Sequence, residues 1–485
     1  MTLKNQTVDS VLWSGFEKFM SLFIQMLSTV IIARFISPSD FGLIGMLVVF
    51  IAVGNVILGS GFGQALIRKM DATDLDFSSV FYLNLFLGFI IYIILFFLSP
   101  SIASFYSQPE LEKIAKIAFL VIPINAFGLI QFTLFNKNLD FKSLSKISII
   151  SALISGFFGI SLAYKYQNVW ALVIQNVLFY LLRTLFLWIV SSWTPLFKFS
   201  IYSIKGMFSF SINLLITGLI GSIYNNLYSI VIGKFYAPIE LGYYTQADRF
   251  QKVPSGSITG VIQSVTFPVL SKIQNKNDIL RENYLKIIGI AFLIVSPIMM
   301  YLMVVSENLF EILLTSKWHQ SSIYFKFLCI VGALYPLSSI NLNILNIKGK
   351  GKLILRLEIV RKAILSVILM ITYKYGMMVL MYGLVFYSLC QLILNTYWSG
   401  KQISLTLQEQ FKDLSPIILA NFIAVIFTIP LNMMSTQINL ILLLFLQLIV
   451  FSSTYVLVCF YLNNRFLNYL RKILIEKYFL FKKNK

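Results

Sequence analysis

The organisation of this chain is decided by the stretch Ala33-Arg-Phe-Ile-Ser-Pro-Ser-Asp-Phe-Gly42, which returns as Gly233-Lys-Phe-Tyr-Ala-Pro-Ile-Glu-Leu-Gly242. The two copies align without a gap at an offset of 200 residues. They share a basic residue, an aromatic residue, a proline, an acid and a final glycine in the same order. Proline ends one helix, the acid favours the N-terminus of the next, and glycine permits the tight turn. Each copy therefore predicts a helical hairpin, and the pair predicts an internal duplication.

Apolar stretches long enough to cross a bilayer lie between these copies and on both sides of them. The chain is 58% hydrophobic and only 12% charged. Only helices or closed barrels can span lipid, and these runs are too long and too continuous for barrel strands. The predicted fold class is an all-α polytopic membrane protein with about 14 transmembrane helices. The predicted spans are 11–35, 41–67, 79–105, 117–135, 147–164, 169–190, 207–232, 243–269, 287–305, 325–344, 359–373, 377–398, 416–433 and 438–462.

A second set of matches, at an offset of 210 residues, supports the duplication. The matches are Asn136 with Asn346, Lys142 with Lys352, and Lys146 with Arg356. Because an even number of spans separates the copies, both lie on one face of the membrane and the repeats are parallel, as in some secondary transporters. We predict six-helix bundles at 1–200 and 201–400, followed by two additional helices and a basic interfacial tail at 401–485.

The positive charge follows the predicted topology. The net charge is +20, and 25 Lys and Arg residues fall in segments predicted to be cytoplasmic, against 8 in outer segments. This asymmetry places both termini in the cytoplasm and favours contact with anionic membrane lipids over nucleic acid. Three cysteines lie far apart in different spans, so we expect no disulfide or metal framework.

Several motifs along the chain carry a resemblance to a known family. They are IARFISPSDFGLIGM at 32–46, GSGFGQALIRK at 59–69, YNNLY at 224–228, IGKF at 232–235, LGYY at 241–244, TFPVLSK at 266–272 and NLNILN at 341–346. The chain resembles the Wzx-type polysaccharide transporters, in particular colanic acid exporters. These belong to the multidrug/oligosaccharidyl-lipid/polysaccharide exporter superfamily. The match runs in order over nearly the whole chain.

The resemblance implies a function and a location. It implies two six-helix bundles plus two helices, and a flippase, not an enzyme. That flippase moves undecaprenyl-pyrophosphate-linked oligosaccharide from the cytoplasmic to the periplasmic leaflet of the bacterial inner membrane, by alternating access. The product would serve O-antigen, capsule or exopolysaccharide synthesis, with a polysaccharide polymerase and glycosyltransferases as partners.

Ionisable residues inside spans are costly in lipid, so they are the first candidates for a substrate site. The richest group lies in the eighth span and contains Gln246, Asp248, Arg249 and Lys252. Arginine suits bidentate phosphate binding. The alternative is a helical ion pair between Asp248 and Lys252 near the outer end of the span, with Arg249 reaching the headgroups.

Further candidates lie in other spans, each with a structural alternative. The candidates are Glu17 and Lys18 in the first span, Arg183 in the sixth, and Tyr224, Asn225 and Asn226 in the middle of the seventh. The charged groups either line a cavity or reach the headgroups, and the amides either hold sugar hydroxyls or bond neighbouring helices. A further charged group, Glu358, Arg361 and Lys362, is interpreted as an ion cluster at a cytoplasmic end.

Two other functions compete with this interpretation. One is a cation-coupled multidrug exporter of the same superfamily. The other is a membrane glycosyltransferase or polymerase, for which Asp74-Leu-Asp76 gives a metal-binding spacing. A solvated turn explains that motif better, and the longest outer loop, near 306–324, is short for a polymerase. No metal or cofactor is expected. Coupling to a proton or sodium gradient is a hypothesis, with Asp248 or Glu17 as the group that titrates.

Overall fold

A computed structural model describes residues 3–59, 61–469 and 471, and there every regular element is a helix. Packing within the chain defines a first unit, Met1–Thr245, and a second unit, Gln246–Lys485. The predicted domain boundaries at 200 and 400 stay a prediction. The helices of the first unit are α1 Leu3–Phe35, α2 Pro38–Gly59, α3 Phe62–Arg68, α4 Asp74–Tyr106, α5 Leu111–Ala118, α6 Val121–Lys137, α7 Phe141–Tyr166, α8 Trp170–Val190, α9 Ile201–Asn225 and α10 Leu227–Phe235.

Helix α11, Pro238–Lys272, begins in the first unit and continues into the second. The second unit continues with α12 Asn277–Val304, α13 Ser306–Leu314, α14 His319–Ile347, α15 Gly351–Thr372, α16 Met377–Gly400, α17 Leu407–Thr428 and α18 Leu440–Tyr461. Short 3-10 turns occupy Ser316–Trp318 and Ile429–Thr436. In the first unit α7 packs on α1 and α8, and α6 packs on α4 and α8. In the second, α14 packs on α12 and α16, and α17 on α18.

Each of the fourteen predicted spans lies mainly on one helix or on two consecutive helical segments, which confirms the all-α membrane fold class. Eleven helical stretches in the described part of the chain are long and apolar enough to cross a membrane. The three remaining predicted spans lie on α1, α11 and α15. In α1 the apolar part is shorter, Met20–Phe35, whereas α11 and α15 carry several charges. The count of fourteen membrane-crossing helices therefore stays a prediction.

The prediction of a long outer loop near 306–324 is wrong, because most of this segment is helical. Helix α13 and a 3-10 turn fill this segment, and α14 begins at His319. Phe310, Leu314 and Trp318 recur every four residues and are fully buried. This spacing places the three side chains on one face of a helical segment, and burial of that face holds it against the second unit. Hydropathy averaged over a long window misses a short amphipathic segment of this kind.

The turns between α6 and α7 and between α14 and α15 have the same backbone structure. Leu139 and Gly349 both take the left-handed conformation, with φ of 58° and 65°. In each turn the next residue bonds back to the final turn of the preceding helix, as in a Schellman motif. These bonds run from Asp140 N–H to the Phe135 carbonyl and from Lys350 N–H to the Leu345 carbonyl, both 2.9 Å. The backbone thus repeats at the offset of 210 residues found in the sequence.

The left-handed position holds leucine in one turn, Leu139, and glycine in the other, Gly349. This difference predicts how substitutions at the two positions change the free energy of unfolding. A left-handed backbone destabilises the folded state by about 1–2 kcal/mol when the residue is an L-amino acid. Glycine avoids this strain, but part of the gain is lost because glycine has more conformational entropy in the unfolded chain. Leu139 is 47% exposed, so its side chain contributes little packing. We expect Leu139→Gly to raise the free energy of unfolding by about 0.5–1 kcal/mol and Gly349→Leu to lower it by about 1 kcal/mol. Thermal unfolding of both variants in one detergent checks this, and a lower Tm for Leu139→Gly would contradict it.

The core of the second unit contains a polar network centred on Asn341 of α14, which is fully buried. The Asn341 amide donates to Thr396 Oγ1 at 3.1 Å and accepts from Ser399 Oγ at 2.5 Å, both on α16. It also accepts from the hydroxyl of Tyr284 on α12, which in turn accepts from Gln410 Nε2 of α17 at 3.0 Å. This Asn341 network therefore ties four helices together inside the membrane protein.

Candidate functional site

The first turns of α11 hold the charged group that the sequence singled out. Lys252 Nζ lies 2.6 Å from Asp248 Oδ2, one helical turn away. The Asp248 side chain is 21% exposed and that of Lys252 is 62% exposed. The helical ion pair, one of the two interpretations offered for these residues, is therefore present. The pair neutralises both charges locally, so within the described part of the chain it leaves the third charge of the group without an acidic partner.

Arg249 is the residue left with that charge. Its side chain is partly buried, and in the part of the chain that the structure describes it makes no hydrogen bond and no ion pair. Gln246, three residues earlier and so on the adjoining face of the helix, is 2% exposed, and its Nε2 has no hydrogen-bond partner among the described residues. The structure thus brings together one unpaired guanidinium and one unpaired amide donor on the first turns of α11.

One close packing contact, of Gln251 with Gly332, and one hydrogen bond, from Gln263 to Ser339, hold α11 against α14, and the sequence reasoning missed both. Gln251 Nε2 donates to Ser255 Oγ at 2.7 Å, and a methyl group on Gly332 of α14 would overlap the Gln251 amide. Further along, Gln263 Nε2 donates to Ser339 Oγ at 2.7 Å. The polar spacing of four between Gln251 and Ser255 is a signal in the sequence, but the glycine that makes room for it is not.

The three residues predicted to lie in the middle of the seventh span lie instead at a helix break. Helix α9 ends at Asn225 and α10 begins at Leu227. Asn226 has φ −106° and ψ 8°, and its side-chain amide donates to the Ser222 carbonyl at 2.8 Å. Asn225 is exposed and Tyr224 is partly buried. A single residue, Asn226, therefore interrupts the helix within the predicted seventh span.

The other candidates in the first unit have different outcomes. Arg183 lies on α8, with its guanidinium carbon 4.7 Å from the centre of the Phe132 ring on α6. A cation–π contact therefore accounts for part of its position. Glu17 and Lys18 lie on α1, but their side chains fall outside the described residues, so their predicted roles stay predictions.

The charged group on α15 forms the ion cluster predicted from the sequence. Glu358 contacts the Arg361 guanidinium, and its other oxygen lies 3.0 Å from Lys362 Nζ. Arg361 is 5% exposed, and its Nε also donates to the Leu357 carbonyl at 3.3 Å. One acid therefore pairs with two bases within a single helix, which is a local structural role.

The Asp74-Leu-Asp76 motif is built into the start of α4. Asp76 is 3% exposed and lies 2.7 Å from Lys69 Nζ. It also forms a capping box with Thr73, while Asp74 accepts from the Trp193 indole N–H at 3.2 Å. The expected solvated turn is wrong for Asp76, which is buried. Both acids have structural partners, so the motif gives no support to a metal-nucleotide site.

Solved structures with the same fold are membrane transporters. The lipid II flippase MurJ, in an inward closed conformation, superposes with a TM-score of 0.73 at 17% identity, over 96% of this chain and 100% of that chain. An inward-facing multidrug resistance MATE transporter of the MOP superfamily gives 0.63 at 18% identity, over 79% of this chain and 94% of that chain. The chain therefore has the fold of these two solved structures.

Sequence comparison then identifies the family. The chain belongs to the polysaccharide biosynthesis protein family, whose model matches residues 31–323. The teichuronic acid biosynthesis protein TuaB of Bacillus subtilis (strain 168) is 27% identical over 355 residues, 73% of this chain and 73% of its own length. The lipopolysaccharide biosynthesis protein WzxC of Escherichia coli (strain K12) is 27% identical over 344 residues, 69% and 68% of the two chains. The resemblance to Wzx-type transporters drawn from the motifs is confirmed.

Proposed function

We propose that this protein flips an undecaprenyl-pyrophosphate-linked oligosaccharide from the cytoplasmic to the outer leaflet of a bacterial inner membrane. The observation that carries the proposal is the Arg249 guanidinium on α11, which has no hydrogen-bond or ion-pair partner among the described residues. Family membership and the transporter fold support transport of a saccharide precursor, and the chemistry of this side chain supports a lipid-linked anion as the form that is carried. In this proposal the protein makes and breaks no bond of the substrate.

The ion pair beside Arg249 explains why the site suits an anion. Asp248 is held by Lys252 at 2.6 Å, so it does not neutralise Arg249. A guanidinium offers a fork of donors that matches two phosphate oxygens at once, and such charge-assisted pairs are stronger than neutral hydrogen bonds. The unpaired Gln246 amide adds a neutral donor on the adjoining face. A cationic drug would meet repulsion at the same place.

The exposed amide at the break between α9 and α10 supports a polar substrate headgroup. Asn225 is exposed at that break, whereas the side chain of Asn226 is occupied by its own helix. A carboxamide can both donate to and accept from sugar hydroxyls. We assign Asn225, with Tyr224 beside it, to contacts with sugar hydroxyls.

The transport cycle in this proposal is alternating access with both termini in the cytoplasm. The excess of basic residues in the predicted cytoplasmic segments supports that orientation. In the described part of the basic tail, Phe466 is 1% exposed and Arg465 pairs with Asp413. The start of the tail therefore packs against the second unit. Glycosyltransferases that build the substrate and a polymerase that consumes it are the partners the proposal requires.

A reconstituted flipping assay tests the function. Proteoliposomes would contain the protein and a fluorescent undecaprenyl-pyrophosphate oligosaccharide, and an impermeant quencher would report the fraction exposed on one side. We expect the protein to exchange the lipid between leaflets within minutes, while empty liposomes leave about half of the label protected. Export of a cationic dye that the lipid-linked glycan does not inhibit would instead support a multidrug exporter, and label transfer from a nucleotide sugar would support an enzyme.

Coupling to an ion gradient is a separate part of the proposal. Protonation of Asp248 would break its ion pair with Lys252 and so change the charge beside Arg249. Proteoliposomes with an imposed proton or sodium gradient should then accumulate substrate on one side, whereas ionophores should reduce transport to exchange. If the transport rate were the same with and without each gradient, coupling would be excluded. The proposed flipping activity would be unaffected by that result.

A further inference from the structure

The linker, residues 191–200, connects α8 to α9 within the first unit. Helices α8 and α9 are both long and apolar enough to cross a bilayer, and so is α4. Only ten residues separate Val190, where α8 ends, from Ile201, where α9 begins. A connection this short between two membrane-crossing helices stays close to the lipid headgroups, so its side chains have a leaflet beside them.

The start of α4 holds the backbone of the linker in place. The N–H groups of Leu196 and Ser200 donate to Ser78 Oγ and Ser79 Oγ, both at 2.9 Å, and both serines are fully buried. The Trp193 indole also bonds to the first turn of α4, at 3.2 Å. These three bonds keep the linker at the level where α4 begins, so it does not extend away from the membrane.

The side chains that project from this fixed backbone are aromatic and basic. Phe197 is 100% exposed and Phe199 is 56% exposed, and Tyr202 in the first turn of α9 is 86% exposed. Lys198 lies between the two phenylalanines, Lys205 lies about one helical turn beyond Tyr202, and both lysines are exposed. Aromatic rings and long basic side chains in this combination are typical of the boundary between headgroups and acyl chains.

Met70 extends the same surface from the turn between α3 and α4. It is 94% exposed, and its neighbour Lys69 lies 2.7 Å from Asp76 in the first turn of α4. On the other side, the Arg68 guanidinium carbon lies 5.1 Å from the centre of the Phe210 ring on α9. The turn and the linker are therefore both fixed to the start of α4, and they present their apolar side chains at one end of the first unit.

We propose that this surface binds anionic phospholipids of the cytoplasmic leaflet. It consists of Met70, Phe197, Lys198, Phe199, Tyr202 and Lys205, and we refer to it as the linker surface. Its apolar side chains insert just below the headgroups, and its two ammonium groups pair with the lipid phosphates.

Two arguments favour a lipid over a protein partner. The linker connects two membrane-crossing helices, so a leaflet already lies beside the linker surface, whereas a protein would have to be recruited to it. The excess of basic residues also predicts that this end of α4 is cytoplasmic, and the cytoplasmic leaflet carries a negative surface potential. This binding does not depend on the substrate that the protein carries.

Fluorescence quenching by nitroxide-labelled lipids tests the linker surface. Phe197→Cys carries a small fluorophore in a chain whose three native cysteines are replaced by alanine. Nanodiscs contain phosphatidylcholine and phosphatidylglycerol in a fixed ratio, and one or the other carries a nitroxide near the top of its acyl chain. We expect both lipids to quench, with an apparent association constant about ten-fold or more higher for phosphatidylglycerol, because each lysine near an anionic surface contributes about five-fold. High salt should reduce this preference.

Matched variants separate the linker surface from general charge effects. Lys198→Gln combined with Lys205→Gln should reduce the preference for phosphatidylglycerol about five-fold or more. Lys165→Gln combined with Lys374→Gln removes the same charge from two exposed positions predicted to be on the outer side, and it should leave the preference unchanged. A label at Phe97, which is 75% exposed within α4, should be quenched equally by the two lipids.

Three outcomes would overturn the proposal. The first is equal quenching of the Phe197 label by both lipids, and the second is a preference that persists after both linker lysines are replaced. The third is a label that neither lipid quenches but that aqueous iodide does, a result that would favour a protein partner for this surface. A chain labelled at Tyr202→Cys repeats the measurement, so the test does not depend on the folding of a single variant.

Discussion

Replacement of Arg249 by alanine is expected to reduce the rate of flipping about 30- to 100-fold at limiting substrate, since a charge-assisted pair with phosphate contributes about 2–3 kcal/mol and each 1.4 kcal/mol is a factor of ten. The effect should be on substrate capture, because the guanidinium has no structural partner to lose within the described residues. The reconstituted flipping assay measures it over a range of substrate densities. Expression and the thermal unfolding temperature should stay close to those of the parent chain.

Two further variants separate the role of Arg249 from general charge effects. Arg249→Lys keeps the charge but loses the fork of donors, so we expect about a ten-fold loss. Lys252→Ala removes a neighbouring cation and leaves Asp248 free to neutralise Arg249, and it should therefore also reduce flipping. If Arg249→Ala flipped the lipid-linked glycan at the parent rate, the assignment of Arg249 to the pyrophosphate would be wrong.

Replacement of Asn341 by leucine is expected to lower the free energy of unfolding by about 2–3 kcal/mol. The change removes bonds to Thr396, Ser399 and Tyr284 and leaves these buried groups without their central partner. Individual polar contacts in membrane proteins contribute modestly, but unsatisfied buried groups cost about 1–3 kcal/mol each. Thermal unfolding in detergent, followed by intrinsic fluorescence, measures the loss.

The control for this variant is Asn283→Leu on α12. Asn283 is partly buried, and among the described residues its amide donates only to the Ile279 carbonyl of its own helix, at 2.8 Å. We expect this substitution to change the free energy of unfolding by less than about 0.5 kcal/mol. Equal losses in the two asparagine variants would show that the Asn341 network does not hold the second unit together.

The sequence predicted the helices well because the requirement to satisfy backbone groups in lipid leaves almost no other structure for long apolar runs. It also predicted the duplication, because the proline, acid and glycine of the two copies have local functions that do not depend on the rest of the fold. Asp40 illustrates this. It lies in the first turn of α2, and its N–H donates to Ser37 Oγ at 3.2 Å, as expected at a helix start.

Features that depend on contacts between distant parts of the chain could not be predicted in the same way. Hydropathy does not encode the break between α9 and α10 at Asn226. Gly332 looks ordinary in the sequence, and only its position against Gln251 gives it a role. For the candidate site, the sequence supplied the residues on α11 and the possible ion pair between Asp248 and Lys252, but it could not decide between that pair and a substrate-binding role for these residues.

The charges on α11 and α15 also bear on how this protein enters the membrane. An isolated helix with Asp, Arg or Lys near its centre is inserted at a cost of about 2.5–3.5 kcal/mol for each such residue. Neither helix reaches the apolarity of the eleven that could cross alone. It follows that α11 and α15 need helices already in the bilayer to receive them during biosynthesis. For α11 the contacts of Gln251 and Gln263 point to α14, a helix synthesised later, so α11 would wait at the membrane surface until its partner emerges.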